Sequence, residues 1–235
     1  MSAHLKWFKF VVIFLMGLMA VIGYLNDVHG FYGNYIEQRR AEDGLELINA
    51  GVSISHVESV FGSPVSENHD NEKGLFEYIY SFDKFYLQVV FNKNNTVVFF
   101  AVTSKDRGFE PKIPYLNGNL GSTFVELSGF YSENVARIGS KHFEYNENIY
   151  EGNPWNYRNV YLAYNPAGVD YGRMEALPRE EIPYPSRMVS DQFRNKSHPN
   201  TYGVGSIHGG RESGELNFGV GIEYFSSRDL PEHRY

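Results

Sequence analysis

The sequence predicts an α+β protein: an N-terminal transmembrane helix followed by one or two modules, each packing a helix on an antiparallel sheet. Three observations carry this. Trp7–Leu25 (WFKFVVIFLMGLMAVIGYL) is a long apolar run with Lys9 as its only charge. Residues 75–103 hold three strand-like runs of alternating character, broken by turn residues. Gly51–Pro64 (GVSISHVESVFGSP) reads as a short capped helix placed just before them.

The anchor is assigned to residues 1–28. A helix of about 20 apolar residues crosses the ~30 Å hydrocarbon core. Lys9 can snorkel near one end, and Trp7 and Tyr24 suit the two interfaces. A cleaved signal peptide is the alternative, but no A-x-A-like small-residue site follows the run. Lys6 and Lys9 precede the span closely, whereas Arg39 and Arg40 lie beyond it among Glu37, Glu42 and Asp43. That bias places the N-terminus in the cytoplasm and the body across the inner membrane, in the periplasm of a bacterium.

Residues 29–50 carry Tyr32, Tyr35, Ile36, Leu45 and Ile48 in an approximate helical stripe, read as a juxtamembrane helix ending at Gly51. In residues 51–110, Ser53 or Ser55 can cap a helix start, and Ile54, Val57 and Phe61 share one face. Gly62 offers a left-handed exit and Pro64 forbids continuation. Three runs then alternate: LFEYIYSF (75–82), FYLQVVF (85–91) and TVVFFAVT (96–103), with turns at Asp83-Lys84 and NKNN (92–95). The result is a three-stranded meander whose apolar face needs the helix as cover.

The pattern Gly51-x-Ser53-x-x-x-Val57-x-x-x-Phe61-Gly62-x-Pro64, then Tyr78, Phe91-Asn92 and Val97, resembles the BamE-type (SmpA/OmlA) lipoprotein module. It is also similar to the repeat unit of beta-lactamase inhibitory protein. The resemblance covers roughly residues 45–104 and implies a non-catalytic, partner-binding module of the cell envelope. The chain lacks a lipid-accepting Cys, so attachment would run through the anchor.

Residues 111–227 form the expected second α+β module. LGSTFVELSG (120–129) has Ser122 or Thr123 as cap, with Phe124 and Leu127 on one face. HFEYNENIY (142–150) and NYRNVYLAY (156–164) read as strands, and spacing from Gly121 matches that from Gly51 closely enough for a degenerate duplication. Residues 172–200, with Pro178, Pro183, Pro185 and Pro199, read as an extended connector. Residues 202–225 read as a hairpin completing the second sheet, and 228–235 as a tail.

Composition narrows the function. A net charge of −7 argues against a nucleic-acid partner. With 0 Cys there is no thiolate nucleophile and no Cys zinc site. The eight His are scattered without helical pairing, so neither a metal site nor a cofactor is expected. GSIHGGRESG (205–214) sets Ser206 and Ser213 around His208, but it lacks the strand–turn–helix context of a nucleophile elbow. Its glycines do not precede a Gly-Lys-Ser/Thr either, which leaves them as turn residues.

Two stretches remain. Glu144, Glu147 and Glu151 lie among aromatic residues, as in a glycosidase acting on an envelope polymer such as peptidoglycan, provided two of them face one cleft. YEGNPWNYRNVY (150–161) sets Tyr150, Trp155, Tyr157 and Tyr161 around a Gly-Asn-Pro turn. Displayed aromatic rings are what protein interfaces use. The sequence therefore points to a membrane-anchored, envelope-facing, non-catalytic binding or accessory module that contacts another membrane or envelope protein. An envelope hydrolase is the alternative, and the oligomeric state is open.

Overall fold

The computed structural model describes residues 14, 16–21, 23–24, 35–150, 159–172, 174–205, 219–224 and 226–231. The chain divides into two units, Met1–Asp43 and Gly44–Tyr235. In the first, the described positions between 14 and 24 are helical and exposed, and positions 35–43 are helical too. No helix among the described residues is long and apolar enough to cross a membrane. The expected transmembrane helix, single-pass inner-membrane placement and periplasmic body are thereby overturned. Trp7 and Lys9 lie outside the described residues. Tyr24 is an exposed helical position.

The second unit departs from the expected one or two separate modules. It is built on a single eight-stranded antiparallel sheet. In chain order its elements are α1 (Ile54–Phe61), β1 (Ser66–Asp70), β2 (Leu75–Ser81), β3 (Phe85–Asn92), β4 (Val97–Ser104), α2 (Phe124–Leu127), β5 (Glu133–Ile138), β6 (Phe143–Tyr150), β7 (Asn159–Tyr164), α3 (Arg187–Arg194) and β8 (Thr201–Gly205). The spatial order β1-β2-β3-β4-β8-β7-β6-β5 places two four-stranded meanders back to back, joined where β4 pairs with β8. Residues 202–225 thus do not close a sheet of their own. β8 inserts between β4 and β7, and positions 219–224 are not strand.

Local chemistry explains each piece. Ser53 caps α1 by accepting from the His56 amide, and Gly62 ends it at φ 78°. Thr123 and Glu126 form a full capping box at α2, which lets a helix of four residues persist. Val57, Phe61, Phe124 and Phe193 are buried on the helix-covered face of the sheet, where Phe61 meets Tyr80 at 5.8 Å and Phe193 meets Tyr145 at 4.5 Å between ring centroids. The opposite face carries Val90, Phe99, Ala101 and Tyr161 as a buried cluster with Val220 against it. That face is crossed by a strap, residues 219–224, pinned where the Gly221 amide donates to Gln88 Oε1 (2.9 Å) and Asn165 Nδ2 donates to the carbonyls of Val220 and Ile222 (3.2 and 3.0 Å).

The connector 172–200 also departs from expectation. It contains a 3-10 turn at Arg179–Glu181 and the helix α3. In RMVSDQFR the three buried positions are Ser190, Phe193 and Arg194, two of them polar, so the apolar period is lost.

Candidate binding surface

β6 decides what the acidic stretch can do. Successive strand residues point to opposite faces, so Glu144 and Glu147 cannot face one cleft. Glu147 points to the helix-covered face, is 0% exposed, and receives Arg194 Nε at 2.8 Å and Nη2 at 3.3 Å. Arg194 also donates to the Ser128 carbonyl (2.5 Å) and stands 4.9 Å over the Tyr131 ring. Tyr145 donates its hydroxyl to Glu147 Oε2 (3.2 Å). Burial pushes the Glu147 carboxyl up to about 7, against the pull of Arg194. This is an internal tie between β6, α2 and α3. Glu151 lies outside the described residues.

Glu144 points to the strap face, opposite Arg137 of β5 and 3.9 Å from His142 Nε2. Glu144 and Arg137, with Asn146, Asn165 and Glu223, line a cavity of about 110 Å³ beneath the strap. Ligand pockets usually run to roughly 300–1,000 Å³. The cavity admits a few waters or a small fragment and is too small for a polysaccharide. A second buried carboxyl, Glu77, is held by Gln88 Nε2 (2.5 Å) and Asn68 Nδ2 (2.7 Å), and burial pushes its pKa up. Among the described residues no group of three or more His, Asp or Glu could hold a metal.

The predicted aromatic contacts separate. Trp155 and Tyr157 lie outside the described residues. Tyr161 is a core residue, 5% exposed, with its ring set edge-on to Phe99 at 5.6 Å. Tyr150 is 44% exposed at the end of β6, on the same face as Tyr161. Sequence reasoning missed another exposed ring: the segment before β5 carries Phe130, 55% exposed. Two bonds tie that segment to the end of β6, from the Ser132 amide to the Asn148 carbonyl (2.7 Å) and from the Tyr150 amide to Ser132 Oγ (3.2 Å). The side-chain oxygens of Asn148 and Asn159 are buried beside Tyr150 without a hydrogen-bond partner. The signal for Phe130 was a large apolar residue just past a capped helix turn, which reads equally well as core.

No family model matches the chain, and no curated protein matches it. Among solved structures, it is similar to a cysteine-rich secretory protein of Staphylococcus aureus at 11% identity and a TM-score of 0.38. The match covers 67% of this chain and 44% of that one, so the chain spans under half of that protein's length. A likeness at that score carries no argument about fold or activity.

Proposed function

We propose that the protein is a non-catalytic binding module for a partner protein, with its contact surface at the Tyr150 end of the sheet. The observation that supports this most is that Tyr150 and Phe130, two exposed large rings, lie on segments bonded to each other at the end of a strand. Large rigid rings have few rotatable bonds to freeze on binding, and aromatic residues are enriched among the residues that dominate interface energetics. The resemblance of residues 45–104 to BamE-type modules supports the same class of role.

The test is photo-crosslinking. A benzoylphenylalanine placed at position 150 of the full chain, expressed in its own host, yields one discrete adduct with a second protein, identifiable by mass spectrometry. Phe130→Ser reduces that adduct. Only diffuse background labelling, unchanged by Phe130→Ser, would contradict the reading.

A further inference from the structure

The sheet has two outer edges, and the chain treats them differently. At the β5 edge the outward amide of Ala136 donates to the Pro183 carbonyl (2.9 Å), and Asn134 Nδ2 donates to Ser190 Oγ of α3 (2.5 Å). The connector therefore satisfies an outward amide of that edge and ties one of its side chains to α3.

At the β1 edge, pairing fixes which groups point outward. The Phe82 amide donates to the Phe85 carbonyl (2.9 Å), so the even-numbered residues of β2 bond to β3 and the odd-numbered ones bond to β1. Their β1 partners are Ser66, Asn68 and Asp70. The amides and carbonyls of Glu67 and His69 then point away from the sheet. Both residues are exposed, and among the described residues nothing bonds to those outward groups.

The two edges are counterparts. Counting strand pairs outward from the β4–β8 seam places Val65 at the position of Ser132, and His69 at that of Ala136. The same irregular bond recurs at both, from Val65 to Ile79 (2.8 Å) and from Ser132 to Asn148 (2.7 Å). His69 is thus the open equivalent of an amide that the chain itself satisfies elsewhere.

We propose that the β1 edge accepts an extended, lysine- or arginine-bearing segment of a partner protein, which pairs with Glu67 and His69 as an added strand. Charge selects that occupant. Glu58 and Glu67 both act on the Tyr78 hydroxyl, and Asp70 and Glu72 sit at the turn that ends β1, against the cation Lys73 there, so the edge carries net negative charge. A second copy of this chain would bring the same acidic edge against itself. The inference rests on the binding-module reading but uses the end of the sheet away from Tyr150.

The test uses the full chain and a synthetic peptide of about eight residues alternating lysine and valine, a typical strand length, with a glutamate–valine peptide as control. At saturation the lysine peptide slows amide exchange at Glu67 and His69 by about tenfold or more, and the control does not. His69→Pro deletes the outward amide at a position where an edge strand tolerates proline; it lowers peptide affinity by about tenfold, 1.4 kcal/mol, with an unchanged melting midpoint. Unchanged exchange at saturation, or binding indifferent to His69→Pro, overturns the proposal. So does concentration-dependent protection of the same two amides without peptide, which would mark a self-pairing edge. Absence of the peptide effect with the position-150 adduct intact sinks this inference alone; the converse sinks only the Tyr150 surface.

Discussion

Glu147 and Arg194 are almost fully buried, and a buried pair is costly to break from one side. At pH 8, where Glu147 is ionised, Arg194→Ala should lower unfolding free energy by about 3–5 kcal/mol in a urea titration. Arg194→Met combined with Glu147→Leu should recover most of that loss, because it removes both charges and keeps the volume. Burial raises the carboxyls of Glu147, to about 7, and of Glu77 above the ordinary 4.5. A raised carboxyl means the folded state holds its proton more tightly than the unfolded chain. The stabilisation is complete below about 4.5 and falls away as pH rises through about 7. Wild type should lose stability between pH 5 and 8, and Glu147→Gln should flatten much of that slope. A rising slope in wild type would show that Arg194 outweighs burial at this site.

Caps decide the short helices. Ser53 and Thr123 each accept from an amide three residues on, at 3.3 Å in both cases. Ser53→Ala and Thr123→Ala should each cost about 1 kcal/mol in thermal or chemical unfolding. The Thr123 variant should lose more, since Glu126 also bonds back to the Thr123 amide (2.8 Å). These caps, Gly62 and the strict alternation of Phe76, Tyr78 and Tyr80 were legible in the sequence, so α1 and β2–β4 were found close to their bounds. β1 (SENHD) was not, because an edge strand exposed on both faces carries no apolar alternation. α3 hid behind its prolines and its buried Arg194. Of the predicted contacts, Tyr150 was legible as a turn-flanking ring. Tyr161, one strand away, is core, and exposure at that range depends on a strap far along the chain.

At the scale of the molecule, β1 to β8 form one sheet through the β4–β8 seam. Long-range pairing of that kind leaves no local trace, which is why the sequence read as modules in tandem. The seam is tight: a Cβ at Gly205 would stand 2.2 Å from the Val98 carbonyl oxygen, at φ 154°. Gly205→Ala should cost at least about 2 kcal/mol and broaden the unfolding transition. The placement of the β5 edge, with its Ala136 amide bonded to Pro183, and of the β1 edge, unpaired among the described residues, depends on this seam. Thr103 and Thr201 face each other across it, with their hydroxyl oxygens 2.9 Å apart. They form a non-hydrogen-bonded pair, the closer of the two cross-strand geometries, and the chain has no cysteine of its own. The measurement is therefore oxidation of the Thr103→Cys/Thr201→Cys double variant, read by peptide mass spectrometry. An intramolecular disulfide between positions 103 and 201, formed at a yield independent of protein concentration, is the predicted result. Two free thiols in the folded protein, or only disulfides between molecules, would contradict the single sheet.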